Sequence, residues 1–276
     1  KYQHNKQTHG LDLLMNFNNP YMRCNQGIVV ECKNRQMRSI NQAELDKWLE
    51  ELINAIECAQ SAPELQDFDM GNTMLNTGLL LIHANDSFNS ELFNKYLCNL
   101  KVHSRRNPIN VFIAGNDEID RWNSLRNKIE KDFTSEFQFI YPSIEGSNME
   151  LGNYLTINQL YSKYIFAQDM KYIEKTEAGT SYKVPQVRKI MISFDEISKG
   201  NFKYMWSMFK ALQFQDAKEL VFVFYPRKNS DVEFVKDNFI NTLYQIQQPI
   251  TENIASRIKL EFIDNRSLSP VDMGGR

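Results

Sequence analysis

The sequence predicts an α/β protein with a largely parallel sheet, because short apolar runs rich in β-branched residues alternate with amphipathic helical stretches along the chain. Composition agrees: the 276 residues are 42% hydrophobic, 24% charged and 12% aromatic, which excludes disordered, collagenous and coiled-coil chains. No apolar run approaches the ~20 residues that a membrane helix needs. The length allows one large domain or two ordinary ones.

In order along the chain, Gly10-Leu11-Asp12-Leu13-Leu14-Met15-Asn16-Phe17 reads as a strand, ended by the turn-forming Asn18-Asn19-Pro20. Gly27-Ile28-Val29-Val30-Glu31-Cys32-Lys33 is a second strand, paired or adjacent to the first. A helix follows, with Asn41 as N-cap and Glu44 at N3. Its Leu45, Trp48, Leu49, Leu52, Ile53 and Ile56 form one core face. Residues 61–77, polar and containing Pro63 and Gly71, read as a loop. The continuous apolar run 78–84 is a buried strand, and Leu92, Phe93, Tyr96, Leu97 and Leu100 mark a helix. Strand 111–114, helix 117–132 and strand 137–141 come next. The last third predicts a helix near 154–174, strand 187–194, helix 201–215, strand 219–225, a long helix 230–256 broken or kinked by Pro249, and strand 258–263. Met205, Met208, Phe209 and Leu212 are a core stripe of the fifth of these helices. The loop 143–153 or the polar stretch 175–186 is the expected divide between domains, taken as 1–150 and 151–276.

Several function classes are disfavoured. Cys24, Cys32, Cys58 and Cys98 have neither C-x-x-C spacing nor framework density, which points to reduced thiols in a cytosol and no structural zinc. There is no P-loop, no G-x-G-x-x-G and no G-x-S-x-G motif. The formal net charge of -2 argues against a general nucleic-acid coat. Charge is uneven, however. Residues 1–43 hold six basic residues against only Asp12 and Glu31, a local +4, while the remainder stands at -6. A locally positive region concentrates phosphates.

Those two acids carry the chemistry. Strand alternation puts Val29, Glu31 and Lys33 on one face and Ile28, Val30 and Cys32 on the other, core-facing side. Asp12 lies nineteen residues before Glu31 in the preceding strand, so pairing would let both carboxylates converge. Two carboxylates without histidine or thiolate favour a hard cation such as Mg²⁺, completed by water and phosphate oxygens. Such an ion polarises a phosphodiester and acidifies bound water. Lys33 would orient that water or stabilise the developing charge.

At Gly10-Leu11-Asp12 and Ile28-Val29-Val30-Glu31-Cys32-Lys33 the sequence resembles the PD-(D/E)xK, or restriction-endonuclease-like, nucleases, over roughly residues 1–115. The helix and strand that follow agree with the family order. The resemblance implies a restriction-endonuclease-like mixed sheet core, followed here by further alternating strands and helices. It implies Asp12, Glu31 and Lys33 as catalytic residues, with Asp12, Glu31 and the backbone carbonyl of Cys32 as ligands of Mg²⁺ or Mn²⁺. It also implies cleavage of phosphodiester bonds in nucleic acid, DNA before RNA, in a restriction or antiviral-defence role. Many members carry a further acid on a helix before the Asp strand. No such helix follows Lys1, and the chain is expected to be a fragment of a longer protein.

Acid-x-Lys also occurs at Asp169-Met170-Lys171, within an expected helix, and at Asp216-Ala217-Lys218, before a strand, both without a preceding Asp strand. His9 beside the Asp12 strand reads as a turn residue or phosphate contact, and His83 as a rim histidine. Asn34 and Arg35 are loop residues or backbone contacts to DNA. Two rival readings stand beside the nuclease. One is a non-catalytic module binding nucleic acid or a nucleotide signal. The other is an assembly subunit, homo-oligomeric or docked to an ATPase partner. The C-terminal half is expected to serve recognition or assembly and to hold no second nuclease centre. The expected location is cytoplasmic, with no membrane partner.

Overall fold

Apolar strands and amphipathic helices build two mixed sheets in the computed structural model, which describes residues 10–60, 62, 65, 73–102, 107–142, 149–177 and 179–265. The chain divides into two compact units, the first running to Asp120 and the second spanning Arg121–Arg266.

The first unit holds a four-stranded sheet in the order β1-β2-β3-β4: β1 Leu13–Asn19, β2 Cys24–Arg35, β3 Thr73–Ala84 and β4 Asn110–Ala114. β1 and β2 form an antiparallel hairpin whose turn places Arg23 at φ 51°. β2, β3 and β4 run parallel, so each connection needs a crossover. Helix α1, Gln42–Ala59, makes the first crossover and α2, Ser90–Cys98, the second. The expected cap of α1 is present: the Glu44 N–H donates to the Asn41 side chain at 3.1 Å. Its stripe of Leu45, Trp48, Leu52 and Ile56 packs on Val29, Leu80 and Ile82 of the sheet. The approach is close enough that a Cβ on Gly78 would lie 2.6 Å from Ile56 Cδ1. The expected loop 61–77 is shorter than anticipated, since its last residues already belong to β3.

In the second unit the order is β10-β9-β8-β7-β5-β6. These are β5 Gln138–Tyr141, β6 Glu150–Gly152, β7 Tyr164–Glu177, β8 Thr180–Ser193, β9 Glu219–Phe224 and β10 Ile258–Phe262. β8, β9 and β10 are parallel, whereas β5, β6, β7 and β8 meet antiparallel. The parallel expectation therefore holds on one side of each sheet, and a hairpin supplies the other. Helices α5, Lys199–Ala211, and α6, Asn229–Tyr244, cover one face around Phe202, Trp206, Phe209, Phe222, Phe224 and Phe239. Leu125 of α3, Asn116–Asp132, packs on the opposite face with Phe139, Ile165, Ile190 and Val221.

Two expectations are corrected here. Residues 154–174 are not one helix: α4 covers only Ile157–Leu160, and Tyr164 begins β7. The physical reason is a period of two, with Ile165, Ala167 and Asp169 buried and their neighbours not. This run pairs with β8 over its whole length, so the polar stretch 175–186 is the outer part of a long hairpin. The expected helix 230–256 ends at Tyr244, and the four-residue α7, Glu252–Ala255, follows Pro249. No helix among the described residues is long and apolar enough to cross a membrane.

Candidate active site

β2 places the motif because its two faces meet different neighbours. Glu31 pairs with Leu80 and Lys33 with Ile82 in the parallel register, and those two residues belong to the core under α1. Glu31 and Lys33 therefore share the helix-covered side with Val29. Both lie towards the C-terminal end of a parallel strand, where open α/β sheets place their ligands. Beyond them, the Asn85 N–H donates to Arg35 O at 2.9 Å and the Met37 N–H to Asp86 Oδ1 at 2.7 Å. Asn116 clasps the backbone of Ala84, with its side chain accepting at 2.8 Å and donating at 2.9 Å. These hydrogen bonds, one between backbones and the rest from side chains, fix the strand ends that frame the motif.

Asp12 reaches the motif from just before β1, which begins at Leu13 and not at Gly10 as expected. Register pairs Leu13 with Val30, so Asp12 stands one position beyond the last pair, level with Glu31. Its Oδ2 accepts the Cys32 backbone N–H at 2.8 Å. The Lys33 ammonium contacts Glu31 Oε1 at 2.5 Å and Glu51 Oε2, on α1, at 3.8 Å. The side chains of Lys33 and Glu31 are only 14% and 17% exposed, so this ion pair is partly withdrawn from solvent. Asp12, Glu31, Cys32 and Lys33 thus come together, with Glu51 alongside.

Cys32 differs from expectation. Its side chain is exposed and not part of the core. The pairing of β1 stops at Leu13 and Val30, so nothing of β1 continues over position 32, and Asp12 meets its amide instead. Local desolvation, then the charges of Asp12 and Glu31, raise the Cys32 thiol, with Lys33 opposing. Two carboxylates and a carbonyl fit a hard cation that keeps several waters. Among the described residues no group of three or more His, Cys, Asp or Glu side chains is arranged to hold a metal.

The other candidates fall away from this cluster. Asn34 and Arg35 are exposed, and Arg35 Nη1 donates to Asn34 O at 3.0 Å. His83 is half-buried on β3, opposite Asn34 in the register. His9 lies outside the described residues. Asp169-Met170-Lys171 sits on β7, in a strand after all, but Asp169 is buried and bound by Arg188 and Thr134. Glu51 is the residue that sequence reasoning missed. Its only signal is its position on α1, between Trp48 and Leu52 of the core stripe.

Residues 1–118 match the family described as GAPS4 protein PD-(D/E)XK nuclease domain. That segment is PD-(D/E)XK nuclease-like, and its mixed α/β sheet is consistent with such a fold. No curated protein and no solved structure matches the chain.

Proposed function

We propose that the protein is a metal-dependent endonuclease that hydrolyses phosphodiester bonds, with DNA as the preferred substrate. One observation carries the reading. Within a PD-(D/E)XK nuclease-like segment, Asp12 binds the Cys32 amide at 2.8 Å beside the Glu31–Lys33 pair. A decorative strand-end ion pair requires no second carboxylate from a neighbouring strand.

The residues divide the work as follows. Asp12, Glu31 and the Cys32 carbonyl are the oxygen donors for Mg²⁺ or Mn²⁺, which when bound supplies Lewis acidity and acidified water. The hydrogen bond from the Cys32 N–H holds one oxygen of Asp12 in place. Lys33 provides a compact positive charge next to these acids, suited to a phosphate oxygen or the attacking water. Its placement between β2 and α1 limits its freedom, so little ordering remains to be done at reaction. The excess of basic residues along 1–43, the segment that carries the motif, supports attraction of a nucleic-acid backbone.

The second unit, which carries neither the Asp12 strand nor the Glu31–Lys33 pair, is proposed to serve recognition or assembly, as a homo-oligomer or docked to an ATPase partner. A defence role rests on the family analogy alone, and a cytoplasmic location on the four free cysteines; both belong to the same proposal. The test incubates the full chain with plasmid DNA and with RNA, with Mg²⁺ or Mn²⁺ and with chelator. Cleavage should need the cation and fall by at least ~100-fold in Glu31→Gln. Full activity in chelator, or in Glu31→Gln, overturns the mechanism.

A further inference from the structure

Glu31 faces two claims. Its Oε1 lies 2.5 Å from the Lys33 ammonium, and the same carboxylate is the proposed cation ligand. An ammonium and a divalent cation crowded on one carboxylate repel each other, so Lys33 in this position competes with metal binding. Released into solvent, Lys33 would lose the placement that makes it useful. A second carboxylate stands within reach: Glu51 Oε2 is 3.8 Å from the same ammonium.

The setting of Glu51 suits a receiving role. It precedes Leu52, which is 1% exposed, and follows the core residues Trp48 and Leu49 on α1, so its backbone is fixed by packing. That helix lies tightly on the motif sheet, as the contact of Ile56 and Leu52 over Gly78 shows. Yet the Glu51 side chain itself is 36% exposed and retains room to change rotamer. A rigid base with an adaptable carboxylate can follow a lysine through a small displacement.

We propose that Glu51 is a positioning residue: it takes the Lys33 ammonium from Glu31 when Glu31 serves as a metal ligand. Lys33 then remains charged, tethered and next to the reacting phosphate. This rests on the nuclease reading, and it adds a residue for which the acid-x-Lys motif has no place.

The experiment is a double-mutant cycle on the full chain, reading Mn²⁺ affinity by calorimetry and cleavage in parallel, with thermal melting as the folding control. Glu51→Gln should weaken Mn²⁺ binding on the order of tenfold, because Lys33 stays on Glu31. Lys33→Met should not weaken it. In the Lys33→Met background, Glu51→Gln should change Mn²⁺ affinity by less than about twofold. Glu51→Asp, which keeps the charge, should recover most of the loss. An equal loss with and without Lys33 would make Glu51 a direct ligand, and no loss in either background would make it a bystander. Either result overturns the hand-over while leaving the nuclease reading intact. Wild-type protein that neither binds Mn²⁺ nor cleaves in its presence removes the nuclease reading, and this inference with it.

Discussion

Lys33 shows how far single residues were legible. Its ammonium is held by Glu31 and faces Glu51, and only 14% of its side chain is exposed. Alternation along β2 was enough to place Glu31 and Lys33 on one face, and an antiparallel neighbour was enough to bring Asp12 level with them. The exposure of Cys32 was not legible, because it depends on where the pairing of β1 stops. Glu51 was invisible for a similar reason: no local pattern tells which residue of a helix will lie over which residue of a strand. The enclosure of Lys33 also changes what its removal should do. Lys33→Ala leaves Glu31 without its closest partner, so we expect a stability loss of about 1–2 kcal/mol, larger than for a solvated lysine. Cleavage should fall by ~100-fold or more, while affinity for DNA drops little, since one phosphate contact among several carries only part of the attraction. Cleavage, melting temperature and DNA affinity on one sample decide the matter. Wild-type cleavage removes Lys33 from the mechanism.

Among elements, α1 came out as its local pattern predicts, whereas the segment from Tyr164, decided by pairing, did not. α1 has a capping asparagine and an unbroken helical stripe, and it stands within a residue or two of its expected place. The segment after Thr156 misleads because a capping box opens a helix there. The aromatic and aliphatic residues beyond it suit either period, and pairing with β8 decides for the strand. Where this hairpin meets the body of the second sheet, Asp195 is clamped by Lys163 Nζ at 2.8 Å and the Tyr164 hydroxyl at 2.5 Å. Burial alone would raise the Asp195 carboxyl, but the hydrogen bonds from Lys163, Tyr164 and the Glu196 N–H together hold it below the ordinary carboxylate range. A depressed folded-state value stabilises above the unfolded pKa, and that contribution disappears as pH falls through the folded one. Wild type should therefore exceed Asp195→Asn in melting temperature at neutral pH, with the gap closing below about pH 4. Melting curves of constant separation down to about pH 3 would show that the clamp is not an ionic one.

For the whole molecule, the question is whether two sheets mean two chemical centres. The second unit contains its own acid-x-Lys triplets, and one of them, Asp169-Met170-Lys171, proved to lie on a strand as a nuclease motif would. Its environment argues otherwise. Asp169 is 1% exposed, and its Oδ2 accepts from Arg188 Nε at 2.8 Å. The Thr134 hydroxyl and N–H donate to it as well. Arg188, 2% exposed, stacks its guanidinium 4.9 Å from the Phe133 ring. A carboxylate so enclosed by a fixed cation has no oxygen turned to a hydrated metal, and breaking such a pair would leave an uncompensated buried charge. Lys171 meanwhile faces Glu219 at 3.9 Å, so the triplet's two charged ends serve one structural network. The other triplet has its acid in the short turn Phe214–Asp216 and Lys218 just before β9, so neither charged residue lies on a strand as the motif requires. We therefore expect Glu31→Gln combined with Lys33→Met to abolish all metal-dependent cleavage by the full chain. Asp169→Asn should instead lower the melting temperature and leave the cleavage of the surviving folded protein unchanged. Residual Mg²⁺-dependent cleavage in the double variant, lost again on adding Asp169→Asn at a temperature where the protein remains folded, would establish a second centre in Arg121–Arg266.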